Sequence, residues 1–197
     1  MKLGVMMALF GRLSFEEALD RAAAAQLDAV EIGAGNYPGS SHCPVKELLA
    51  DKTKAKDWAK KVTDRGLVIS ALACHGNPLH PDAAVARRHH DAWRDAVRLA
   101  SLIGVNTITA FSGCPGGSER DKFPNWVVCS WPPDFVKVLD WQWSKKILPY
   151  WAKEARFAAD CGVNIAFEMH QGMAVYNTET LLRLRKECGK NVGANLD

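Results

Sequence analysis

Long apolar runs are missing from this sequence: nothing approaches the roughly 18 uncharged residues that would cross a bilayer as a helix. The opening MKLGVMMALFGRLSFEEAL reads as a first strand rather than a removable leader, because Glu16 and Glu17 stand where a small-residue cleavage site belongs. The expectation is a soluble, cytoplasmic protein with no membrane partner. A basic stripe is also absent. The 25 basic and 22 acidic residues are mixed along 197 positions, so no phosphate-tracking surface is visible and no nucleic acid partner is expected. None of the six cysteines belongs to a CxxC pair and no secretory signal precedes them, which predicts reduced thiols rather than disulfides, serving as small buried or semi-buried apolar residues. No GxGxxG follows the first apolar run, so the dinucleotide-binding fingerprint is missing too.

What is present is an alternation of short β-rich runs with longer helical stretches. Strands are predicted at 2–10, 28–35, 67–76, 106–113, 163–170 and 191–197. Ser14 and Glu17 form a capping box that opens a helix over 14–26. A Lys-rich helix is predicted over 44–64, closed by Gly66, and another over 82–103, stopped by Gly104. A helix over 134–161 should break or kink near Pro149, and a fifth runs from Asn177 to Gly189. Strands separated by helices imply one α/β domain over 1–197 with a parallel sheet covered on both faces.

Two architectures satisfy that pattern, an open doubly wound sheet and a (β/α)8 TIM barrel. Polar residues near the strand ends (Glu31, His75, Ser112, Glu168, His170, Asp197) favour the barrel, whose strand C-termini converge on one mouth. A barrel closes with eight units, and this sequence supplies six. The expectation is therefore a C-terminally truncated barrel containing the first six β/α units.

Glu168 lies in the apolar run IAFEMH, where an ionised carboxylate is costly unless paired. Asp197 ends the next strand, and parallel neighbours lie roughly 4.8 Å apart, so both carboxylates can reach one cation. A salt bridge to Arg or Lys is the competing reading. By position, Glu31 and His170 are substrate contacts, and Trp126 and Trp131 on the long loop 114–134 could stack on a ligand. His80 reads as loop-fixing, His89 and His90 as a solvated helix face, and the aromatics at 141, 143 and 151 as core.

The segments ALACHGNPLHP (71–81), IAFEMHQGMAVYNTETLLRLR (165–185) and NVGANLD (191–197) resemble the sugar phosphate isomerase/epimerase group of the xylose isomerase-like TIM barrels. That resemblance implies one divalent metal ion (Mn, Mg, Co or Zn) held by Glu of strand five, Asp of strand six, His of strand seven and Glu of strand eight. Glu168 and Asp197 match the first two positions; the other two have no counterpart here. It further implies that Glu168 is catalytic, moving a proton on a small sugar, sugar phosphate or polyol through an enediolate, and that His75 contacts substrate. An inosose-type dehydratase and an inactive barrel fragment are the alternatives. Apurinic endonuclease chemistry is disfavoured, since strand four ends AFSG without the required histidine. Homo-oligomerisation is left open.

Overall fold

The computed structural model describes residues 2–197. Six strands, β1 (Gly4–Met6), β2 (Ala29–Gly33), β3 (Val68–Ala73), β4 (Thr107–Ala110), β5 (Asn164–Glu168) and β6 (Val192–Asn195), follow one another in chain order in a single sheet. The paired neighbours run parallel. Helices α1 (Phe15–Ala24), α2 (Val45–Ala50), α3 (Lys52–Thr63), α4 (Ala83–Ile103), α5 (Pro133–Trp141), α6 (Leu148–Asp160) and α7 (Thr178–Cys188) occupy the connections. The expected six parallel strands alternating with helices are therefore present. No helix among the described residues is long and apolar enough to cross a membrane.

Two compact units make up the chain. One contains the residues up to His75 with Ala92–Thr109 and Cys161–Val163; the other contains Gly76–Asp91, Ala110–Asp160 and Asn164–Asp197.

In the first unit, the α1 positions Phe15, Ala18, Leu19 and Ala22 recur at helical spacing and are buried. Both halves of the Ser14–Glu17 capping box form, with Ser14 Oγ accepting the Glu17 N–H and Glu17 accepting the Ser14 N–H. Two expectations need correction. Of the run at 2–10 only Gly4–Met6 pairs as a strand, while Met7–Phe10 tightens into a 3-10 turn that buries Met7. A continuous apolar run cannot distinguish a strand from a helical turn by periodicity. The helix predicted over 44–64 is in fact two, because Asp51 adopts an extended conformation and its carboxylate accepts the N–H groups of Thr53 and Lys54 at 2.9 and 3.1 Å. As a strong N-cap, it starts α3 anew.

In the second unit, the helical stretch expected to break near Pro149 is interrupted by a π-helical turn, Gln142–Ile147, between α5 and α6. Pro149 has no N–H for the carbonyl four residues earlier and crowds it, which the wider turn accommodates. Trp143 and Trp151 are buried, as aromatics at helical spacing should be. The Trp151 ring meets Phe167 edge-on at 4.6 Å and Tyr150 at 5.0 Å, and its Nε1 donates to the Ser112 carbonyl at 2.8 Å.

His89 is not on a solvated helix face. It is buried in the second unit, and its Nδ1 accepts the backbone N–H of Asn77 at 2.7 Å. His90, beside it, meets the Tyr150 hydroxyl at 3.0 Å. The polar look of Arg87-Arg88-His89-His90-Asp91 hid one inward position, since a helix shows each side a different subset of a charged run. Burial, then nearby Arg88, holds the His89 imidazole below its ordinary value. Between the folded and unfolded values the unfolded chain binds the extra proton, so stability is lost as pH falls from the ordinary histidine range toward the lower folded value. The melting midpoint of the wild type should therefore drop more between about pH 7 and about pH 5 than that of His89→Leu, by at most about 1.4 kcal/mol per pH unit for one proton. Parallel pH profiles for the two proteins would contradict this role.

The cysteines divide by position. Burial pushes the Cys43 and Cys74 thiols up to about 12 and Cys114 to about 11, which makes them inert. Cys129 is exposed, unlike the buried residue expected.

Candidate active site at the end of strand five

Side-chain alternation along β5 sets the site. Phe167 packs on Trp151 of α6, so Ala166 and Glu168 point to the opposite face of the strand. The parallel register places Asn195 of β6 directly across from Glu168, with Asp197 two residues further on. Glu168 is half-buried and Asp197 exposed. Burial first, and the Asp197 carboxylate second, raise the Glu168 carboxyl above its ordinary value, while His170 and a hydrogen bond from the Asn195 amide pull it down. Four groups from two strand ends thus share one electrostatic neighbourhood.

The β5–α7 connection is fixed to the end of β4. Ser112 Oγ accepts the Val175 N–H at 2.8 Å, and the Gly113 carbonyl accepts that of Ala174 at 2.9 Å. His170 lies in this connection against the Phe111 ring, 4.8 Å between centroids. Its Nδ1 sits 2.6 Å from the Gln171 carbonyl, which can only accept, so Nδ1 carries a hydrogen and Nε2 is the ring nitrogen left for another partner.

The long loop after β4 is built into the same unit. The buried Gln142 amide, on the π-helical turn, donates to the carbonyls of Asn125 at 2.7 Å and Gly116 at 3.0 Å. Trp126 donates its indole N–H to the Met173 carbonyl at 2.9 Å and stands edge-on to Tyr176 at 5.5 Å. That clamp joins residues 47 apart in sequence.

The structure therefore gathers Glu168, His170 and Asp197 of the expected site residues. Trp131 is 73% exposed and takes no part in the clamp that Trp126 makes. Glu31 and His75 belong to the first unit. Glu31 stands in the middle of β2, not at its end as expected, and its carboxylate accepts the Thr109 hydroxyl of β4. His75 is buried two residues past β3, and its carbonyl accepts the Tyr37 N–H at 2.9 Å. His80 fixes its loop, its Nδ1 accepting the Asp82 N–H at 3.0 Å.

Sequence reasoning missed Asn195, Phe111 and Tyr176. The first had a signal: residues 195 and 197 share a face by alternation, so an Asn two before the chosen Asp was a natural companion.

Residues 19–197 match the family model described as the xylose isomerase-like TIM barrel. The chain belongs to this family. A relative in the same sequence range is the uncharacterized protein YfiH of Bacillus subtilis (strain 168), 38% identical over 200 residues, which cover all of this chain and 64% of that protein. Solved structures with the same fold include a D-psicose 3-epimerase crystallised with D-fructose (18% identity, TM-score 0.63). Another is the probable 3-DHS dehydratase AsbF of Bacillus anthracis (15% identity, TM-score 0.67). Each covers this whole chain, which in turn spans 62% and 63% of their lengths. The chain thus corresponds to somewhat under two thirds of the relatives it matches.

Within this xylose isomerase-like chain, no group of three or more His, Cys, Asp or Glu side chains among the described residues is arranged to hold a metal ion. The chain offers two carboxylates. Mutual repulsion is what a shared cation would relieve, and two hard oxygen donors suit an ion that keeps several waters or substrate oxygens. Glu168 and Asp197 are the side chains of this site whose oxygens could contribute to such a set.

Proposed function

We propose that this chain carries part of the active site of a metal-dependent sugar isomerase or epimerase, with Glu168 and Asp197 as its metal ligands. The observation behind this reading is the pair of like charges gathered at the ends of β5 and β6, where Asp197 disfavours the ionised form of Glu168. All-oxygen donors favour Mg²⁺ or Mn²⁺ over Zn²⁺ or Co²⁺. When bound, such an ion would polarise the oxygens of a ketose or polyol.

The chain's own residues supply the rest. Glu168 takes the proton from the carbon beside the carbonyl and returns it. Asn195 holds the Glu168 carboxylate through its amide. His170 offers its Nε2 to a substrate hydroxyl, its ring steadied by Phe111. Trp126 and Tyr176 form a fixed aromatic wall beyond it.

The test is calorimetric titration of the purified chain with Mn²⁺, followed by incubation with D-fructose or D-psicose in D₂O and proton NMR. The expected result is weak Mn²⁺ binding and metal-dependent loss of the proton at C3. Loss of water instead of exchange would point to a dehydratase. Absence of both binding and exchange would overturn the proposal.

A further inference from the structure

His170 is held by no strand. It lies two residues past β5, half-buried, and its place is set by a closed turn: its N–H donates to the Val175 carbonyl at 3.3 Å, and its carbonyl accepts the Met173 N–H at 3.2 Å. Three bonds hang this turn from the chain that follows β4. The Ala174 N–H reaches the Gly113 carbonyl, and the Met173 carbonyl takes the Trp126 indole N–H, both at 2.9 Å. The third bond runs from the Val175 N–H to Ser112 Oγ at 2.8 Å.

Ser112 is itself immobilised. Its carbonyl accepts the Trp151 indole N–H at 2.8 Å, and its hydroxyl hydrogen turns to the Gly113 carbonyl at 3.3 Å, which leaves an oxygen lone pair for Val175. Ser112 and Val175 are both fully buried, so this hydroxyl does not meet a substrate directly.

Val175 couples the two residues, since its N–H is fixed by Ser112 and its carbonyl receives the His170 N–H. Phe111, adjacent to Ser112, meets the His170 ring at 4.8 Å between centroids. Neighbouring side chains past β4 therefore hold the ring of His170 directly and its backbone through one intermediate. Without the hydroxyl a buried N–H loses its acceptor, and Val175 must shift to find another. The Gly113 and Trp126 bonds still secure Ala174 and Met173, so the shift falls on the His170 end of the turn. A misplacement of about 1 Å in such a contact costs up to about 100-fold in rate.

We propose that Ser112 is a positioning residue, setting through Val175 where His170 meets the substrate hydroxyl, an inference that rests on reading this site as that of a sugar isomerase or epimerase. Exchange at C3 of D-fructose in D₂O with Mn²⁺, followed by proton NMR over a range of sugar concentrations, gives KM and kcat for the wild type, Ser112→Ala, His170→Ala and the double variant. Ser112→Ala should raise KM about 10-fold and leave kcat within about 2-fold, as loss of a ground-state substrate contact does. In the His170→Ala background the same substitution should change KM no further. A merely structural role would carry the same factor in both backgrounds, and that additivity overturns the proposal. So does a folded Ser112→Ala with the KM of the wild type. A wild type that exchanges no proton overturns the reading of the site and the positioning role with it, whereas exchange by the wild type with additive losses overturns the positioning role alone. Should Ser112→Ala fail to fold by circular dichroism, Ser112→Cys, whose sulfur is a weak acceptor, takes its place in the same cycle with the same outcomes.

Discussion

Replacing Trp151 with alanine should destabilise the protein by about 3–5 kcal/mol, the largest single-residue effect expected in the second unit. The residue is fully buried, its ring edge-on to both Phe167 and Tyr150. Truncation leaves a cavity of ring size and removes two aromatic contacts. It also strips the Ser112 carbonyl of its 2.8 Å donor in a buried setting. Trp151→Phe separates the contributions, since it keeps most of the packing and loses only the donor, for about 1–2 kcal/mol. Urea unfolding of the three proteins measures both. Equal losses for the two variants would mean that the hydrogen bond, not the packing, carries the stability. Because Phe167 immediately precedes Glu168, the alanine variant should also loosen the β5 end on which the candidate site depends.

Glu168→Gln should act in opposite directions with and without metal. In metal-free protein the substitution removes one of two neighbouring like charges from a half-buried position, so the unfolding midpoint should stay level or rise. With Mn²⁺ at about 100 times its dissociation constant, the wild type should gain roughly 2.7 kcal/mol by linkage, and the variant should gain almost none. Differential scanning calorimetry with and without Mn²⁺ reads this without any assay of activity. An equal Mn²⁺-dependent shift in both proteins would place the cation elsewhere.

Much of the fold was legible because its signals are short-range. The Ser14–Glu17 box, the glycine stops after α3 and α7 and the break before Pro149 each involve residues within a few positions of one another, and each is present. Misreadings arose where a local signal was weighted too lightly or had two meanings. Asp51 was absorbed into a helix although its carboxylate is a strong N-cap, and the apolar run after Gly4 fits strand and turn alike.

The candidate site divides along the same line. Glu168 stood out as a carboxylate in an apolar strand, and Asp197 as the polar end of the next. Neither reading could show that Asn195 lies across from Glu168 or that Asp197 bears on its charge, since strand register belongs to the pairing of two segments.

By itself the sequence determined the alternation of strand and helix, the caps that bound the elements and the alternation that sets Glu168 opposite Phe167, because periods of two and 3.6 residues are properties of the local chain. Only the tertiary structure decided that His89 turns inward to Asn77, that Gln142 and Trp126 hold the long loop, and that aromatic side chains of that loop stay exposed. Each of these depends on which distant segment supplies a hydrogen-bond partner or a covering surface. A side chain's partners are chosen by packing across the fold, which no local pattern encodes.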